Sequence, residues 1–282
     1  MSLTIAVVGA TGVLGRQAVP RLIELGYRIR ALVRDRSAAE RLQSLGVQAV
    51  PGDILISQTL APLLEGCDAA LHLATAVPRS GQALDFSMND RIRREGTSNL
   101  LAACESAGVR RYVQQSIAML QGGSGDVWTD EAGQPNLTPV TQSAWDMEQM
   151  VRNSRLDWLI LRGGLFYGPG TGLDAAWREA ARRGTLTMPG DGQRFVSLVH
   201  VSDMAEALAR AIDAPSLQAL AVTDDRPMRY AELFSYIAAL EAGPAPRSGG
   251  PERLASFRVP NNAIKSALGW MPHYRSVRSG LT

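Results

Sequence analysis

Short apolar runs alternate with amphipathic stretches from the start of the chain. Residues 3–8 form a run rich in β-branched side chains that enters Gly9-Ala10-Thr11-Gly12-Val13-Leu14-Gly15, after which apolar positions recur at helical spacing to Leu25. This predicts a strand, a turn and a helix. Gly26 ends that helix, residues 28–33 supply a second strand, and Ser37 caps a short helix reaching Leu45. Residues 48–50 read as a third strand, 57–64 as a helix and 69–74 as a fourth strand. A longer helix follows, with Ile92, Leu100, Ala103 and Ala107 along one face. Residues 111–116 make a fifth strand.

The stretch 121–139 is rich in Gly, Asp, Thr and Pro and longer than ordinary connections, which marks it as a candidate functional segment. A helix over 141–154 follows, then strands at 158–161 and 195–199, with Ser202 capping a helix that runs to Ile212. Repeated strand and helix alternation predicts an α/β protein with a doubly wound parallel sheet. Beyond Gly163, Gly and Pro punctuation predicts a smaller lobe over the carboxyl edge of that sheet.

Composition narrows the class. With 282 residues, 45% hydrophobic and 20% charged, the chain reads as an ordinary globular protein. A net charge of +2 is too small for the basic footprint of a nucleic-acid binder. No apolar run approaches the roughly 18 residues of a membrane span, and the first apolar run lacks the flanks of a signal peptide. The expectation is a cytoplasmic protein, monomer or homodimer, acting on a small molecule without nucleic-acid or membrane partners. Cys67 and Cys104 read as buried structural thiols, and His72, His200 and His273 fit no metal-ligand spacing. No metal site is expected. Lys265 is the sole lysine, so positive charge is almost entirely arginine.

Gly9, Gly12 and Gly15 lie between the first strand and the first helix. One permits a tight turn, one lets backbone approach a pyrophosphate, and one lets helix pack close to strand. The phosphate would rest on the helix N-terminus. At the end of the second strand, Arg34 leaves first, and with Arg16 it could embrace a ribose 2′-phosphate. NADP(H) is favoured on this ground. Asp35, able to accept from a 2′-hydroxyl, keeps NAD(H) open.

Further motifs extend the pattern. Gly52-Asp53 follows the third strand, His72-Leu73-Ala74 ends the fourth, and Gly96-Thr97 precedes Leu100 and Leu101. Arg162 to Gly170 reads RGGLFYGPG, Val199-His200-Val201 is followed by Asp203, and Leu268-Gly269-Trp270 by Pro272. Together these resemble the extended and atypical branches of the short-chain dehydrogenase/reductase superfamily, which include the NAD-dependent epimerase/dehydratase family and NmrA-like proteins. The resemblance implies a Rossmann core over residues 1–164 and a mainly substrate-binding lobe over 165–282, with 195–214 returning to the core sheet. It implies cofactor contacts from Gly9, Thr11, Gly12, Val13, Leu14 and Gly15 in the turn, and from Arg34, Asp53 and Ile54 around the adenosine. Ala74, Thr75, Ala76, Ser116, Gly164 and Phe166 would contact the remainder.

In that superfamily a serine after the fifth strand polarises a carbonyl, a tyrosine moves the proton, and a lysine four residues later lowers the tyrosine pKa. Ser116 matches the serine. Ser143 and Glu148 match residues flanking the lysine, which puts the Tyr/Lys positions at Val140 and Ala144. None of the six tyrosines has lysine four residues on, and Arg93 replaces the family's helix asparagine. The expectation is an atypical reductase, or a cofactor-assisted isomerase or dehydratase, with Ser116 as electrophilic donor and Asp146 or Tyr167 as acid. Met119, Trp145 and Phe166 could wall a flat apolar pocket for an aromatic or polyketide-like substrate. The alternatives are a non-catalytic NADP(H) sensor and a non-redox lyase or cyclase.

Overall fold

The computed structural model describes residues 2–78, 85–215 and 217–281. The outer limits of the two-part division, residues 1 and 282, fall outside them. The first half runs β1 (Thr4–Val8), α1 (Gly15–Glu24), β2 (Arg28–Val33), α2 (Arg36–Gln43), β3 (Gln48–Pro51), α3 (Ala61–Leu64), β4 (Ala69–His72), α4 (Ser87–Arg91), α5 (Thr97–Ala107), β5 (Arg111–Ile117) and α6 (Gln142–Arg152). The second half runs β6 (Asp157–Gly163), β7 (Leu165–Tyr167), α7 (Leu173–Arg182), β8 (Thr187–Pro189), β9 (Phe195–Val196), β10 (Leu198–His200) and α8 (Val201–Ala211). It closes with β11 (Gln218–Val222), β12 (Met228–Arg229), α9 (Tyr230–Leu240), β13 (Arg247–Gly250), α10 (Asn262–Leu268) and α11 (Val277–Gly280).

Among the described residues a seven-stranded parallel sheet has the order β11-β6-β5-β4-β1-β2-β3. Every residue of β1 is buried, as a strand covered on both faces requires. Side chains alternate between the two faces: Ile5 and Val7 join α1 and α8 in one core, while Ala6 and Val8 join α3 and α5 in the other. A third core is built around Tyr167, Phe234 and Phe257, mostly from the second half of the chain. Strand order reverses between β1 and β4, and in such sheets ligands bind in the crevice outside the carboxyl ends at that point.

Several expectations shift. The seventh strand of the central sheet is Gln218–Val222, whereas Phe195–Val196 and Leu198–His200 pair with Met228–Arg229 and Leu165–Tyr167 outside it. The return of 195–214 to the core is made by α8 packing on α1, not by a sheet strand. Asp35, not Ser37, caps α2 by accepting from the Ala38 N–H at 2.8 Å, and His200, not Ser202, caps α8. The stretch 57–64 is a 3₁₀ turn, Ser57–Thr59, followed by the single turn of α3. Between α4 and α5, Ile92–Gly96 is wound as a π-helix. The 121–139 segment is tied down: Gly123 N–H donates to the Ser256 carbonyl at 2.7 Å, Thr129 N–H to that of Arg258 at 3.0 Å, and the Glu131 carboxylate accepts from Ala221 N–H at 2.7 Å.

Candidate active site

The glycine turn sits at the strand-order reversal. Gly9 has φ +94°, and a Cβ there would lie 2.5 Å from Ala74 N; one at Gly15 would lie 2.2 Å from the Gly9 carbonyl oxygen. The fold itself demands both. A Cβ at Gly12 would meet only that same oxygen, at 3.2 Å, so the absence of a side chain there keeps open an exposed approach to the backbone. Thr11 is exposed, Val13 half-buried, and Leu14 anchored in the core. No side chain caps the N-terminus of α1 and no acidic residue occupies its first turn, leaving its N–H groups and dipole for an anion.

Around the turn, Arg34 and Arg16 are exposed, and among the described residues neither guanidinium has a hydrogen-bond or ion-pair partner. Asp35 is engaged as the cap of α2; hydrogen bonds from Ala38 N–H and the Ser37 hydroxyl hold its carboxyl below the usual range. Asp53 accepts from Leu55 N–H through Oδ1 at 2.9 Å, and buried Ile54 lies against Gly96. Ala74 and Ala76 are half-buried and Thr75 is exposed; Ala76 N–H donates to Asn89 Oδ1 at 3.0 Å. Open glycine backbone, an uncapped helix end and two unpartnered guanidiniums suit a phosphorylated dinucleotide.

Ser116, at the carboxyl end of β5, is buried, and its hydroxyl donates to Glu148 Oε1 at 2.7 Å. Glu148 is itself gripped by Arg162, with Nε to Oε1 at 2.9 Å and Nη2 to Oε2 at 2.8 Å, and by Arg152 at 3.2 Å. The hydroxyl hydrogen is thus committed to a carboxylate, and toward any further partner the Ser116 oxygen is left to accept. Glu148 entered the reading only as an alignment mark; its pairing with Arg162, which opens the RGGLFYGPG motif, has no periodic signature.

The proposed acids sit elsewhere. Tyr167 is fully buried, lies edge-on to His200 at 5.2 Å, and donates to the Ser276 carbonyl at 3.3 Å; burial pushes its phenol far above the ordinary value. It is a core residue of the lobe. At Asp146 partial burial opposes ionisation, but hydrogen bonds from Arg94 at 2.7 Å and Gln142 at 2.8 Å prevail and hold the carboxyl below its usual range. Hydrogen bonding thus ties Ser116, Asp146 and Tyr167 to three different sets of partners. Gly164 is fixed by its N–H to the Val222 carbonyl at 2.9 Å, while Phe166, Met119 and Trp145 are half-buried. Ala144 is fully buried on α6, and beside it the Ser143 hydroxyl accepts from Arg93 Nη1 at 3.1 Å.

Comparison with known proteins agrees with this geometry. Residues 9–215 match a family described as NAD(P)H-binding. The chain is 32% identical to a 3-diazoavenalumate denitrifying reductase from a Streptomyces species, with 98% of each chain covered. It is 28% identical to an NAD(P)H azoreductase from Xenophilus azovorans, over 85% of this chain and 74% of that one. In fold it is similar to the Thermotoga maritima UDP-glucose 4-epimerase, with a TM-score of 0.84 at 22% identity, covering 99% of this chain and 96% of the other. The chain belongs to the NAD(P)H-binding family and has a Rossmann-type fold like that of the epimerase.

Proposed function

We propose that the protein is an NADP(H)-dependent reductase for an electron-poor aromatic acceptor, represented by an aryl diazonium group. The observation that carries this reading is the orientation of Ser116, whose single O–H is spent on Glu148 at 2.7 Å. With Val140 and Ala144 at the Tyr/Lys positions, the usual relay offers no proton to a carbonyl oxygen that gains charge during reduction. An acceptor that is already cationic needs none. A bound nicotinamide would supply the hydride; an aryl diazonium cation plus hydride gives the arene and dinitrogen, balanced in atoms and electrons. Relatives named as a denitrifying reductase of a diazo compound and as an azoreductase support acceptors with nitrogen–nitrogen bonds.

In this reading the backbone of Gly9 and of residues 11–15 receives the pyrophosphate, Arg34 with Arg16 holds the 2′-phosphate, and Asp53 with Ile54 borders the adenine. Residues 74–76, Ser116, Gly164 and Phe166 border the nicotinamide end. Met119, Trp145 and Phe166 form the apolar wall against an aromatic ring.

The test follows consumption of NADPH at 340 nm with benzenediazonium and, in parallel, benzaldehyde, using cofactor deuterated on the transferred face. The expected outcome is enzyme-dependent oxidation with the diazonium compound alone, and deuterium on the arene carbon that bore nitrogen. Faster turnover of the aldehyde would overturn the reading. Nucleotide binding without turnover of either would favour a sensor.

A further inference from the structure

We infer that Arg93, with Asn89 one helical turn before it, binds the carboxylate of an aromatic-acid substrate. The inference deepens the reductase reading and rests on it for the aromatic acceptor. Arg93 is 7% exposed and lies in the π-helical turn Ile92–Gly96, a local winding often found at functional sites. Its guanidinium makes one hydrogen bond, to Ser143 Oγ, and among the described residues it forms no ion pair. The field of Asp90 reaches it, but Asp90 is not within ion-pair distance, and neighbouring Arg94 adds like charge. Burial lowers the Arg93 pKa to about 10, which leaves it cationic at neutral pH. A buried charge without a counter-ion is costly, and an incoming anion relieves that cost.

Asn89 supplies an independent sign. Its Oδ1 accepts from Ala76 N–H, whereas its Nδ2 is sealed from solvent with no partner. Buried amide donors are seldom left unmade, and such an orphan points to a missing acceptor. Asn89 contacts Ala76, at the end of the segment after β4, and Arg93 contacts Ser143, next to Ala144 at the vacated lysine position. The proposed function puts the cofactor's phosphates on the glycine turn, whereas Arg93 contacts Ser143 on α6, so we assign an anion at Arg93 to the substrate. A guanidinium fork with an amide donor about one helical turn before it suits the planar, bidentate acceptor geometry of a carboxylate.

The probes are 3-phenylpropanoate and 3-phenylpropanamide, titrated by calorimetry into NADPH-saturated protein. The wild type is expected to prefer the carboxylate by about 30-fold, as a charge-assisted contact implies. Arg93→Met levels the two probes, Arg93→Lys restores part of the preference, and NADPH affinity is unchanged in both. Asn89→Ala lowers the preference several-fold, a separate readout should Arg93→Met fail to fold. No preference in the wild type, a preference that survives Arg93→Met, or a matching loss of NADPH affinity overturns the inference. Neither probe accepts hydride, so a failed diazonium assay leaves a measured carboxylate preference standing. Conversely, diazonium turnover without that preference refutes the carboxylate site alone.

Discussion

Two arginines are buried beside α6, and they live in opposite electrostatic circumstances. Arg162, 3% exposed, meets Glu148 through two short hydrogen bonds, and the same carboxylate takes the Ser116 hydroxyl. Arg93, 7% exposed, has a neutral serine hydroxyl and, among the described residues, no ion-pair partner. The first arrangement is complete without a ligand, and its function is to hold β5, β6 and α6 in register at the crevice. The second is incomplete. In this comparison the saturated arginine marks scaffold and the unsatisfied one marks where a ligand finishes the structure.

The strongest way to break this contrast is to strip the paired arginine of its partner. Glu148→Ala should cost about 3–5 kcal/mol in denaturant unfolding, because it strands Arg162 and leaves the Ser116 hydroxyl unbonded. Asp224 extends the contrast to acids: burial pushes its carboxyl up to about 8, and among the described residues its Oδ2 has no hydrogen-bond partner. Its folded value lies above the unfolded one, so the folded state keeps a proton that the unfolded chain has lost between about pH 4 and 8. Wild-type stability should therefore fall relative to Asp224→Asn as pH rises through that window, by about 1.4 kcal/mol per pH unit at most. Parallel urea titrations at several pH values would show it, and a constant offset would contradict it.

Arg34 is unpartnered too, but exposed. Arg34→Ala should weaken NADPH binding by about 30-fold in calorimetry while altering NADH by less than about threefold. Equal losses would remove the 2′-phosphate assignment. The smallest expected change sharpens the comparison most: Arg93→Met should shift unfolding free energy by less than about 1 kcal/mol, since it deletes an unpaired buried charge. A loss matching that of Glu148→Ala would make Arg93 a structural cation like Arg162.

Much of the fold was legible because burial leaves periodic traces. Fully buried β1 reads as an apolar run, the glycine turn announces the strand-to-helix transition, and the next five sheet strands fall where β-branched and apolar residues cluster. The seventh strand was misplaced because Gln218–Val222 is alanine-rich and short, while the stretch 195–199 has stronger β-formers yet pairs only with lobe segments. Asp35 outcompeted Ser37 as a cap through its position one residue before the first helical turn. At the site, glycine chemistry was visible, but charge pairing was not: Glu148 and Arg162 meet from different elements, 14 residues apart. Tyr167 looked chemical in its motif and proved to be packing, because sequence carries the residue type and not the direction of its hydroxyl.

The carboxylate of Glu131, anchored on Ala221, has a consequence beyond the segment it tethers. Gln218–Val222 is the outermost strand on its side, and outward N–H groups of such a strand are templates on which another chain can add. Here that template is occupied from within the molecule by a charged side chain. An approaching strand would have to expel an anion before making its first rung, so growth of the sheet from copy to copy is blocked where its border would otherwise lie open.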